Sequence, residues 1–229
     1  MYTRLGLSLS RGQSRLALGG QHENEEQIPM TDASPTTLES YPREIELDDK
    51  RTVVARLMGK SDRDTIVAFA RALPPDDLLF LRRDITDPAV VDGWVREIEA
   101  GKTVSVLAEL GGELLGYGSL CLEETFWGRH MGEIRVLVRP DFRGMGLGLQ
   151  LASDVFAIAS HLGIRKIIAR MTQEQERTRA RLERLGFRPE AVLREFALDR
   201  EGNARDLLVM SSDVGRLTDE QHLASWRRS

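Results

Sequence analysis

Three alternate glycines, Gly144, Gly146 and Gly148, follow Arg143 and stand directly before an apolar run at helical spacing. Glycine tolerates positive φ and close approach of the backbone to a ligand, and the first turn of a helix leaves its N–H groups unpaired. Such a bend holds anions, because those N–H groups and the positive end of the helix dipole converge on it. The chemistry on offer is therefore the gripping of a phosphate. Two side chains upstream could move protons, the carboxylate of Glu133 and the imidazole of His130. The lone thiol, Cys121, has no neighbour in sequence that would lower its pKa, so a buried strand cysteine is expected there instead of a nucleophile.

The elements that must position these groups adjoin them. Ile134, Val136, Leu137 and Val138 favour a buried strand, which Pro140 ends because it cannot extend a ladder. Leu147, Leu151, Val155, Ile158 and Leu162 then line one face of a helix, with Gly163 as its stop. Strand, glycine loop and helix follow without a gap. A nucleotide-binding Walker loop would end in Gly-Lys-Ser/Thr, which is absent. A dinucleotide fold would place its glycines after the first strand and an acidic residue about 20 positions on. Here the next strand, Arg165 to Met171, ends in Ala-Arg-Met-Thr, and strand-rich sequence precedes the loop.

The run Val136 to Gly148, with Arg143 before its first glycine, closely resembles the acetyl-CoA pyrophosphate loop of the GCN5-related N-acetyltransferase (GNAT) superfamily. The resemblance extends from about Arg51 to Val214. It implies an α+β (mixed α/β) GNAT fold, with a central, mostly antiparallel twisted sheet of about six to seven strands and helices on both faces. It also implies that the Glu133 strand and the Ile164 strand splay apart around the pantetheine arm. The thioester would then lie near Leu137 and Val138, whose free backbone groups can hold the arm like another strand, Val136 would also contact the cofactor, and the backbone of Arg143, Gly144, Met145, Gly146, Leu147 and Gly148 would bind the pyrophosphate. Gln175 stands where the family has a helix-start asparagine and could make an amide contact to the cofactor. Many relatives protonate the departing thiolate with a tyrosine where this chain has Leu182. The implied activity is transfer of an acetyl group from acetyl-CoA, as cosubstrate and without a metal, to a primary amine of a small molecule or protein. Glu133 and His130 are the candidate bases. The alternative is a non-catalytic acyl-CoA-binding regulatory module, motivated by Leu182 and the lack of a strong base.

Thirty-two basic against 36 acidic residues in a chain of 229 give a near-balanced surface, so nothing points to nucleic acid or a membrane as partner. No apolar run approaches the roughly 18 to 20 residues needed to cross a bilayer. A single cysteine suits a reducing, cytoplasmic setting. A homodimer is left open.

Residues 1–49 lack periodicity and are expected to form an extension with little fixed structure. Arg4, Arg11 and Arg15 without an acid are a pattern shared with organellar transit peptides, but Leu5, Leu7 and Leu9 alternate, so a disordered leader or an upstream start, with Met30 as initiator, is preferred. The domain proper spans 50–214. It opens with a strand Thr52 to Leu57, a helix capped by Ser61 and Asp64, a short helix after Pro74-Pro75, and a third from Asp87-Pro88 to Gly101. Strands at Thr103 to Leu110 and Leu114 to Leu122 join through Gly111-Gly112. Phe126 and Trp127 lie in the next loop, where the resemblance allows Trp127 an acceptor contact, although such aromatics more often tuck onto the domain's own surface. Past the central helix come a strand from Ile164, a helix from Gln173 to Leu185 and a hairpin of Ala191 to Leu198 with Ala204 to Ser212. Residues 215–229 form a tail with one helical candidate at Thr218.

Overall fold

The computed structural model describes residues 36–78, 81, 83–199 and 201–216. The leader through Met30 and the helical candidate at Thr218 lie outside the described residues. In chain order the elements are α1 (Thr36–Glu39), β1 (Arg43–Glu46), β2 (Thr52–Leu57), α2 (Arg63–Arg71), α3 (Pro75–Leu78), α4 (Pro88–Glu99), β3 (Thr103–Leu110), β4 (Glu113–Leu122), β5 (Met131–Val138), α5 (Leu147–His161), β6 (Lys166–Thr172), α6 (Glu176–Arg184), β7 (Arg188–Leu198) and β8 (Ala204–Asp213).

The strands form one 8-stranded sheet in the order β1-β2-β3-β4-β5-β6-β8-β7. Every neighbouring pair is antiparallel except β5 with β6. The mixed GNAT fold implied by the sequence is therefore present with one strand more than expected. The addition is β1, inside the segment read as unstructured. Four residues with Ile45 alone buried are too short to show an alternation. What fixes β1 is tertiary: its register against β2, and an ion pair from Arg43 to Asp154, a buried carboxylate on α5.

Two apolar layers flank the sheet. On one face α5 buries Leu147, Leu151, Val155 and Ile158 against Val106, Leu120, Ile134, Ile167 and Met210. On the other, Ile66 and Phe69 of α2 and Val91 and Trp94 of α4 cover Leu107, Leu114 and Tyr117. Trp94 donates its indole N–H to Ser105 at 3.2 Å, and Ser105 shares a hydrogen bond of 2.8 Å with Ser119, so the polar atoms of this layer satisfy one another.

Local signals that stand alone agree with the structure. Gly111 and Gly112 take φ of 59° and 85°, as a tight two-residue hairpin requires. Asp87 caps α4 by accepting the Ala89 N–H at 2.9 Å. The cap expected from Ser61 and Asp64 is displaced by one turn position: Asp62 accepts the Gly59 N–H at 2.7 Å, and Arg56 from β2 binds the same carboxylate at 2.7 and 2.9 Å. A charged partner on a neighbouring strand selected the acid, and local spacing does not show that partner.

Candidate cofactor cleft and acceptor face

The cleft arises from a failure of pairing. Strands β5 and β6 run side by side only over Met131↔Lys166, Gly132↔Ile167 and Glu133↔Ile168, whereas β5 stays paired with β4 as far as Val138 and β6 with β8 as far as Thr172. Past Glu133 the two strands part, leaving facing edges of backbone between two otherwise continuous half-sheets. The Arg139 N–H reaches Leu115 O at 2.8 Å, so the alternation of an antiparallel ladder turns the backbone groups of Leu137 toward β4 and those of Val136 and Val138 toward the open edge. Val136 is accordingly more exposed than its neighbours, at 36%. Leu137 was expected to offer backbone groups to the cleft. The ladder uses them, and its side chain packs instead on the α2/α4 layer.

At the mouth of this cleft the chain makes a 3-10 turn over Pro140–Phe142 and enters the glycine loop. Gly144 and Gly146 have φ of 79° and 81°, and Gly146 is the residue from which α5 starts, with no side-chain cap. The Gly146 carbonyl takes the N–H groups of Leu149 and Gln150. Among the described residues, the amides of Gly144, Met145, Gly146, Leu147 and Gly148 donate to no protein acceptor. Unpaired N–H groups at a helix start are what an anion needs, so these residues fit the diphosphate of coenzyme A.

Arg143 departs from the expectation. Its N–H is spent on Pro140 O at 3.2 Å, so the cradle begins at Gly144. Its guanidinium instead braces the loop from outside, through Val138 O at 2.9 Å and Asp77 at 2.6 Å.

A second brace was invisible in the sequence. The β1–β2 turn packs on the loop: Asp48 donates its N–H to Met145 O at 3.2 Å, and Arg51 donates to Met145 Sδ at 2.8 Å while lying 4.3 Å over the ring of Phe142. A Cβ added at Gly146 would stand 3.1 Å from the Asp48 carboxylate. Loop shape thus depends on a hairpin nearly 100 residues upstream, a pairing that only the distances reveal.

The proposed proton-handling residues fare differently from one another. Glu133 is the last residue of β5 paired with β6, is 7% exposed, and spends one oxygen on Arg135 at 2.6 Å and the other on Arg170 at 2.8 Å. It stands at the root of the cleft, held as an ion pair. His130 does not reach the cleft; its carbonyl takes the N–H groups of Arg165 and Lys166 at the paired end of the two strands, opposite the glycine loop. Trp127 and Phe126 are in the same loop as His130, are 73% and 82% exposed, and do not tuck onto the domain surface. Gln175 turns its amide oxygen back onto the Thr172 N–H at 3.2 Å, half of the capping box read from the sequence. Leu182 packs against the α5 core and leaves α6 without a proton donor at that position. Cys121 is buried, and burial pushes its thiol up, against nucleophilic use.

A mixed sheet opened at its one parallel pair, with an amide cradle at the mouth, agrees with the GNAT fold that the sequence resemblance implies. Residues 79–187 match the family model described as the acetyltransferase (GNAT) family, and the chain carries a domain of that family. Among solved structures it is similar to a ribosomal-protein-alanine N-acetyltransferase from Brucella melitensis, with 22% identity, TM-score 0.62 and coverage of 69% of this chain and 98% of the other. It is also similar to yncA from Salmonella typhimurium, described with its cofactor acetyl-CoA, with 21% identity, TM-score 0.61 and coverage of 71% and 94%. A spermidine N-acetyltransferase from Vibrio cholerae in complex with CoA and spermine aligns with 16% identity, TM-score 0.62 and coverage of 73% and 98%. A search of curated protein sequences gave no significant match. At these identities the likeness concerns the fold.

Proposed function

We propose that this chain, working in the cytoplasm, transfers the acetyl group of acetyl-CoA to a primary amine by direct attack. The observation that carries the reading is the row of amides from Gly144 to Gly148, without a protein acceptor among the described residues, at the mouth of the β5–β6 cleft. The diphosphate would sit on those amides, and the pantetheine arm would lie along Val136 and Val138 as a strand replacing the lost pairing. The thioester would then approach the level of Arg135 and Glu133.

The reaction needs a neutral amine. Its lone pair attacks the thioester carbonyl carbon, the C–S bond breaks, the sulfur leaves with the bonding electrons, and the nitrogen, cationic once it has attacked, gives up a further proton to water. An alkylamine with pKa near 10.4 is free base only about one part in 2,500 at about pH 7, so its proton must be shed before attack. Glu133, tied to two arginines, acts as a positioning group for them, and water carries the proton away. The thiolate, with pKa about 8.5, is a tolerable leaving group that water reprotonates, which compensates for Leu182. The ion-paired Glu133 and the missing tyrosine also support the second reading, a non-catalytic acyl-CoA-binding module.

The purified chain is expected to bind acetyl-CoA saturably and to release free thiol in an amine-dependent manner. Tight binding with no thiol release over a broad amine panel selects the binding module. Absence of binding removes both readings.

A further inference from the structure

The face of the cleft away from α5 carries a line of charge that the transfer chemistry does not use. On β5, Glu133, Arg135 and Leu137 share that face with Tyr117 and Cys121 of β4, and Arg170 of β6 stands across the opening. Glu133 lies beneath: its side chain is 8% exposed, whereas Arg135 is 18% and Arg170 44% exposed. What an incoming molecule meets is guanidinium. Arg135 gives Nη2 to Glu133 and leaves a buried Nε without a partner, and Arg170 gives only Nη1. A further arginine, Arg83, is paired with Glu97 of α4. Arg83 also lines a cavity of about 590 Å³ with Leu73, Leu78 and Ile85.

The acids facing this line are engaged. Glu97 takes Arg83 at 2.6 Å and Thr103 at 3.2 Å. Glu123, which bears weakly on Arg170, accepts the Thr125 N–H at 3.2 Å.

We propose that the acceptor amine carries an oxyanion substituent, a carboxylate or a phosphate, that docks on the guanidinium groups of Arg170 and Arg135. The inference rests on the acetyltransferase reading and names its substrate class. A guanidinium fork matches either oxyanion in two-point geometry. A polyamine would bring further cations against exposed guanidinium, and like charges placed together select against a partner. The cofactor's own phosphates are not the target, since the glycine loop starts beyond Val138 and Arg135 lies about 10 Å back along the strand.

The test uses the full chain loaded with CoA, titrated by calorimetry with acetylated products: N-acetyl-γ-aminobutyrate and its carboxamide, N-acetylphosphoethanolamine and N-acetylethanolamine, and N-acetylspermidine. An anionic product is expected to bind at least about 10-fold more tightly than its neutral partner, the size of one charge-assisted hydrogen bond. The carboxylate and phosphate arms tell the two oxyanions apart. Arg170→Gln should erase that margin while leaving CoA affinity unchanged, and Arg170→Lys, which keeps the charge without the fork, should restore part of it. Equal binding of charged and neutral partners, preference for N-acetylspermidine, or a loss of CoA affinity in Arg170→Gln matching the loss for the product would overturn the proposal. Failure of CoA to bind the parent chain would instead remove the acetyltransferase reading beneath it.

Discussion

Gly146→Val is expected to weaken acetyl-CoA binding by about 100-fold, because it breaks two requirements of the loop at once. The residue sits at φ of 81°, where a side chain costs roughly 1–2 kcal/mol, and its Cβ would press within 3.1 Å of the Asp48 carboxylate. The loop must shift, and amides that converge on one anion then diverge. Losing two charge-assisted hydrogen bonds of about 1.5 kcal/mol each accounts for a change of this order. Backbone strain alone is separated by a control: Gly163 also has a positive φ, 71°, with no atom within 4 Å of an added Cβ. Gly163→Ala should cost about 1 kcal/mol in urea unfolding and leave binding intact. Calorimetric titration of both variants checks this. Wild-type affinity in a folded Gly146→Val would mean that the anion is held elsewhere.

Asp62→Ala should destabilise the fold by about 3 kcal/mol in urea unfolding, a large share of a typical folding free energy. The Asp62 carboxylate is 3% exposed and joins β2 to the start of α2: it binds both terminal nitrogens of Arg56 and the Gly59 N–H, and Arg56 reaches on to Glu109 of β3. Removing the acid leaves a partly buried guanidinium with only Glu109 and the Leu57 carbonyl, and takes away the acceptor of the Gly59 N–H in the 3-10 turn that leads into α2. The pH dependence has a definite sign. Burial works to raise the Asp62 carboxyl, but Arg56 and the Gly59 N–H outweigh it and hold it below its ordinary range. A carboxyl whose folded pKa is depressed adds stability that is present above the unfolded value, about 3.9, and is lost as pH falls through the folded one. The parent chain should therefore lose stability on acidification below about pH 4 more steeply than Asp62→Ala. Equal slopes would place the acid sensitivity elsewhere, with the Asp199 turn as the next candidate. There burial is outweighed by Asn203 and Arg205, which hold the carboxyl at about 2.

What the sequence made legible is what short-range pattern encodes. The glycine loop, the α5 face, the Gly111-Gly112 hairpin and the Asp87 cap each declare themselves within a few residues, and the structure places them as read except for Leu162, which follows the last turn of α5 and is exposed. The parting of β5 from β6 was known only through family resemblance, since nothing in the run Ile134 to Val138 says which neighbour it lacks. The misses are pairings across long stretches of chain. Strand β1 is defined by its register with β2 and by Asp154 on α5, and the loop brace by Asp48 and Arg51 against Met145. The clamp on Glu133 is half legible, since Arg135 is its i+2 neighbour on a strand and shares its face, whereas Arg170 arrives from another strand. His130 was proposed for its chemistry and its nearness in sequence to Glu133; the direction of β5 carries it away from the cleft.

The most direct measurement is the proton–nitrogen correlation spectrum of the labelled chain as acetyl-CoA is added. The backbone amides of Gly144 to Gly148 should show the largest shifts, moving downfield together as they take up the diphosphate, while the amide of Arg143, already bound to Pro140, moves little. If those amides stay in place while saturable shifts gather in another region, the glycine bend is not where coenzyme A is held.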